Sequence, residues 1–181
     1  MTARWNDLSP DGRAFVEAAF VALTSVAHLH RPAVDAVPLS PSALWGHVSG
    51  SVPLPRATLA AALLADPATR EMLAGMMERT ALATGPRVAA AATGGRLAER
   101  TGAGFRLRLL PARGAPEQTW IIIALDRPDP APTRLTALPA DGPPETVPLE
   151  APVDGAVQLL VETGSDLVRA LADPAATVFL H

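Results

Sequence analysis

Four histidines, His28, His30, His47 and His181, are the side chains best suited to proton transfer near neutral pH in this 181-residue chain. On a helix His28 and His30 point about 200° apart, so they do not chelate one ion. Helix-end histidines favoured by the macrodipole are the simpler reading of that pair. His181 is the last residue and is expected to be mobile. His47 stands just before Ser49-Gly50-Ser51, and a small hydrolase pairing His47 with a nearby serine or aspartate is the catalytic alternative the sequence offers. No Gly-x-Ser-x-Gly elbow is present, and Ser49-Gly50-Ser51 reads as a helix end instead.

Other chemistries are closed by composition. There is no cysteine and no tyrosine, and all fifteen basic residues are arginine. Schiff-base lysines, thiolate nucleophiles, disulfides and cysteine-ligated metals are therefore excluded. Asp126/Asp129 and Asp141/Glu145 lie in proline-rich loops, where aspartate is ordinary turn chemistry and the spacing fits no EF-hand. Thr93-Gly94-Gly95-Arg96 and Gly102-Ala103-Gly104 match no phosphate-loop motif and read as turns. No metal, no cofactor and no catalytic residue is assigned. Residues 1–104 carry nine arginines against eight acids, and residues 105–181 six against ten. Neither half has a basic stripe, so direct nucleic-acid binding is not expected. The chain's start lacks a signal-peptide pattern, and its longest helix-like apolar segment, 14–29, is too short and polar to span a bilayer. A soluble cytoplasmic protein without membrane insertion follows as the expectation.

Candidate binding residues are more numerous. Met72, Met76 and Met77 cluster with Leu73, and adaptable methionines recur on surfaces that accept a partner helix. Core packing is the competing role. Trp45 lies on the short helix that carries His47. Arg106 and Arg108 alternate with Phe105, Leu107 and Leu109, giving a strand with one solvated face that could meet an acidic partner.

The elements that position these residues fall into two styles. Ser9-Pro10-Asp11 starts a helix whose apolar face is Phe15, Ala19, Ala22, Val26 and Leu29. Ser40-Pro41 starts a short helix closed by Gly50. A third helix runs from Ala57 to Leu64, and Asp66-Pro67 opens a fourth that runs to about Ala83. Residues 87–104 are ambiguous. From Phe105 the period becomes two. Strands are predicted at 105–109, 119–125, 133–138, 146–149, 156–162 and 177–180, with one short helix at 166–171 capped by Ser165. Residues 119–125 are continuously apolar and read as a central strand covered on both faces.

The segment Leu44-Trp-Gly-His-Val-Ser-Gly50, the helix 57–64, Ala65-Asp-Pro-Ala-Thr-Arg70 and Met72-Leu73 resembles the helical N-terminal domain of bacterial anti-sigma factors. The resemblance covers about thirty residues. With no cysteine the chain lacks the His-x-x-x-Cys-x-x-Cys signature, so the likeness is to the zinc-free branch. It implies an all-helical clamp on a sigma factor, in a regulator without a membrane segment.

The expected fold is α+β: an N-terminal bundle of about four helices (1–101) followed by a C-terminal antiparallel meander or small sandwich with one short helix (102–181). The expected function is a non-catalytic protein-interaction module, a soluble regulator or adaptor subunit. Its partner is another protein, contacted through Leu73, Met76, Met77, Trp45, Arg106 and Arg108.

Overall fold

The computed structural model describes residues 38–85, 97–127 and 129–181. The chain divides into two units, Met1–Ala36 and Val37–His181, and all the described residues belong to the second. The helix expected after Ser9, His28, His30 and the Thr93-Gly94-Gly95 turn lie outside the described residues.

Three helices come first: α1 (Pro41–Val48), α2 (Arg56–Ala65) and α3 (Pro67–Thr80). Their starts follow local chemistry. Ser40 accepts from the Ala43 N–H, and Pro41 occupies the first turn, where a missing N–H costs nothing. Asp66 ends α2 and caps α3 at once. Pro67 keeps Asp66 out of the helical region (φ −137°, ψ 106°), which frees its carboxylate to accept from Ala68 and Thr69 N–H. One two-residue signal thus makes a helical hairpin.

The remaining elements are β1 (Ala83–Gly85), β2 (Glu99–Gly102), β3 (Phe105–Ala112), β4 (Ala115–Leu125), β5 (Arg134–Leu138), β6 (Glu145–Pro148), β7 (Ala156–Glu162), α4 (Asp166–Ala172) and β8 (Thr177–Leu180). They form two antiparallel four-stranded sheets, in the orders β1-β8-β5-β6 and β2-β3-β4-β7. Phe105, Leu107, Ile121 and Ile123 of the second sheet bury against Leu135, Ala137, Val178 and Leu180 of the first, with Leu171 of α4 added. That is a β-sandwich core.

The first sheet is covered on its other face as well. Strict alternation turns Leu135 and Ala137 toward the sandwich and Leu138 toward the helices, and likewise Val178 and Leu180 inward and Phe179 outward. Leu44, Val48, Leu59, Leu63, Leu73, Met76 and Met77 pack on Leu138 and Phe179. The order of layers is helices, first sheet, second sheet.

The expected bundle-then-meander arrangement is therefore corrected. Helices α1, α2 and α3 do not bury their apolar stripes in one another alone; they bury them on a β-sheet whose central strands are β8 and β5. The fold is two four-stranded antiparallel sheets with short helices interspersed. One smaller correction follows from the same layering, and one turn falls where it was expected. Strand β4 lies between β3 and β7, but only the face with Thr119, Ile121 and Ile123 is buried. Gly102 to Gly104 make the β2–β3 turn, where Gly104 adopts φ +91°. No helix among the described residues is long and apolar enough to cross a membrane.

Candidate functional site

The outer face of the first sheet is apolar at one end and polar at the other. Leu138 and Phe179 belong to the helix core. Two residues before Leu138 stands Thr136, and two before that Arg134, so both share the helix-facing side. Thr146 of β6 is directly across from Thr136, and their hydroxyls lie 3.2 Å apart. His181 follows Leu180, returns to the same face as Phe179, and its ring lies 6.2 Å from the Phe179 ring. From the helix layer come His47 and Val48 of α1, Gly50 and Pro53 of the following loop, and Met77 of α3. These nine residues enclose a cavity of about 200 Å³.

His181 is firmly placed rather than mobile. Its N–H donates to the Arg134 carbonyl, and its own carbonyl accepts from the N–H groups of Thr133 and Arg134. The Thr80 hydroxyl, which donates to the Met76 or Met77 carbonyl, lies 3.4 Å from His181 Nδ1. With that hydroxyl proton committed, Oγ1 accepts from Nδ1–H, and Nε2 of the neutral ring is bare. Nε2 is buried and has no hydrogen-bond partner among the described residues.

Arg134 is pinned at one end only. One terminal nitrogen donates to the Val48 carbonyl at 3.2 Å, whereas Nε is buried and without a partner among the described residues. No carboxylate among the described residues is within ion-pair distance of it. His47 holds the opposite tautomer to His181. Its Nδ1 accepts from the Leu54 N–H at 3.2 Å, which puts the ring proton on Nε2. Burial lowers both histidine pKa values below the usual 6.5, and the Arg134 charge lowers them further; a hydrogen bond with Thr80 partly offsets this for His181. The site therefore holds one cation, two neutral imidazoles and two hydroxyls.

A hydrolytic arrangement at His47 does not assemble. Ser49 Oγ is taken by the Gly46 carbonyl and Ser51 Oγ, and neither serine nor any carboxylate among the described residues bonds to the ring. A base also needs a free lone pair on the nitrogen facing its nucleophile, and here the lone pair is spent on Leu54.

The other expected site residues scatter. Leu73, Met76 and Met77 are buried in the helix–sheet core, so they form no open surface for a partner helix. Their burial is the competing role of core packing. Trp45 is 49% exposed on α1. Arg106 and Arg108 project from the exposed face of β3, where both approach Glu99 of β2, at 3.3 and 3.5 Å. Asp126 and Asp129 line a separate cleft of about 500 Å³ with Arg127, Leu82 and Leu125. Among the described residues no group of three or more histidine, aspartate or glutamate side chains comes together to hold a metal.

Arg134 and Thr136 were missed in the sequence because an arginine opening a strand reads as a solvated end. The alternation Arg134-Leu-Thr-Ala-Leu138 does put them on one face, but only the helix layer makes that face interior. Searches for a matching protein family, for related curated proteins and for similar solved structures find no match to this chain.

Proposed function

We propose that this chain is a non-catalytic protein-interaction module, acting as a regulator or adaptor subunit through a protein partner. The observation that carries the reading is the outer surface of the helix layer. Each of its three helices buries one face on the sheet and still leaves one large apolar side chain exposed: Trp45 on α1 (49%), Leu64 on α2 (56%) and Met72 on α3 (39%). Large exposed apolar side chains are a recognition feature when they act together. The dismantled His47 arrangement supports recognition over turnover. Pairing of Arg106 and Arg108 with Glu99 leaves them less charge to offer a nucleic-acid backbone. The anti-sigma form of this reading rests on the resemblance over residues 44–73 alone.

The test is affinity capture from the native host with the wild-type chain and with Trp45→Glu and Leu64→Glu. Both positions are exposed, so the substitutions should leave the thermal midpoint almost unchanged. A stoichiometric protein partner, captured by the wild type and lost with the variants, is the expected result. Capture that is indifferent to both changes, or turnover of simple carboxylic or phosphoric esters by the purified chain, overturns the reading.

A further inference from the structure

We propose that the cavity between α1, α3 and the outer face of the first sheet is a receptor for a small oxyanion, held by Arg134, His47 and His181. This rests on reading the pocket as a site of recognition rather than of turnover. Three observations converge on it. Arg134 carries a positive charge into the cavity wall with a buried, unpartnered Nε–H and no carboxylate beside it. A buried donor without an acceptor costs free energy, so the Arg134 Nε–H calls for an acceptor, and the charge of the part-buried guanidinium favours an anionic one. The second observation is the donor set. His47 has its ring proton on Nε2, the mutually bonded hydroxyls of Thr136 and Thr146 leave one proton to donate, and the bare Nε2 of His181 becomes a further donor once it takes up a proton.

Size is the third. A volume of about 200 Å³ is below the roughly 300–1,000 Å³ of pockets that enclose a drug-sized ligand, which suits a small ion or the anionic end of something longer. There is an outward route for the latter. Arg134, Thr146 and His181 also line a more open hollow with Ser49, Thr133 and Pro148.

Proton balance makes the proposal specific. The entering oxyanion accepts from Arg134 Nε–H and His47 Nε2–H, while His181 Nε2 binds one proton from solvent and donates it in a hydrogen bond. The charged or titratable side chains that face His181 among the described residues are Arg134 on β5 and His47 on α1, and α3 and β6 add only Met77, Thr80 and Thr146. No Asp or Glu side chain lines the cavity to compete for that proton. Anion binding and proton uptake are therefore linked, and affinity should rise by up to about tenfold per pH unit as pH falls from 8 toward 6.

Sulfate is the probe of choice, because its charge is constant over that range, and acetate distinguishes a tetrahedral from a planar occupant. Titration calorimetry on the full chain should show saturable sulfate binding at about pH 6, weaker at pH 8, with chloride as the inactive control. Arg134→Gln should weaken it at least tenfold. Arg134→Lys, which keeps the charge but loses Nε–H, should also bind weakly, and His181→Gln should flatten the pH dependence. Thermal melting of each variant without sulfate confirms that it is folded; a variant that fails this is replaced by Thr146→Val, expected to weaken binding several-fold. Absence of saturable binding in the wild type, or equal affinity in folded Arg134→Gln, overturns the receptor. Hydrolysis of p-nitrophenyl phosphate that depends on Arg134 would uphold the anion site and overturn the non-catalytic reading. Loss of sulfate binding with Trp45-dependent partner capture intact would do the reverse.

Discussion

His47 and His181 differ in tautomer yet share one electrostatic fate, because both rings are part-buried next to the same guanidinium. In the unfolded chain each titrates near 6.5 and in the folded chain lower. Between those values the unfolded state holds more protons, so stability falls as pH drops through about 6.5 and is unaffected by these groups above it. Thermal midpoints at about pH 5.5 and 7.5 should show that loss, and His47→Gln with His181→Gln should reduce it. Arg100 presents the other solution to a buried cation. It is only 3% exposed and donates to the carbonyls of Leu171, Asp173 and Ala176 around the end of α4, the Asp173 carbonyl also accepting from the Ala176 N–H. Burial lowers its pKa, and Asp173 opposes the shift. Arg100→Met should cost about 2–4 kcal/mol in denaturant unfolding, since it strips donors from three carbonyls at once.

At the scale of elements, caps and close approaches decide where chains turn. Asp66 accepts from two N–H groups of α3 and from the Thr69 hydroxyl. Asp66→Ala should therefore destabilise by about 1–2 kcal/mol, and urea midpoints would read it. The β2–β3 turn is tighter than its composition announces. A Cβ at Gly102 would stand 2.3 Å from Phe105 Cε1 and 2.8 Å from the Thr84 carbonyl oxygen. Gly102→Ala must displace a core ring and a neighbouring backbone together, and a loss of about 2 kcal/mol or more is expected. An unchanged midpoint in that variant would show that β1 and β2 are not held as closely as the structure has them. Much of this scale was legible. Ser40-Pro41, Asp66-Pro67 and Ser165 start helices where their chemistry says they should, and the period-two run from Phe105 is a strand. Those signals are local, and local signals survive without knowledge of neighbours.

At the scale of the molecule, two cores share one sheet. Leu73 lies between the helices and the first sheet, and Ile121 between the two sheets. Because Leu135, Leu138, Val178 and Phe179 alternate between those cores along just two strands, neither core can open without disturbing the other. Leu73→Ala and Ile121→Ala should each cost about 3 kcal/mol and shift one common transition. Separate transitions for intrinsic probes of helix and sheet would contradict that coupling. The mutual dependence also positions the pocket: Arg134 and His181 are held by the sheet, His47 by α1, and their meeting depends on the layers staying packed.

Composition alone closed the chemistry of lysine, cysteine and tyrosine, and punctuation alone placed the described helix starts. What the sequence could not decide was which apolar face meets which. Leu73, Met76 and Met77 form an apolar stripe whether a partner protein or β8 covers it, since periodicity encodes a face and not its occupant. The same limit hid the polar site. Arg134 and His181 are 47 positions apart in sequence, and His47 is farther still from both. Only the pairing of β5 with β8, and the docking of α1 over them, brings three unremarkable residues together into one part-buried cluster. Long-range pairing is a property of the packed whole, set by the burial of both faces of the first sheet.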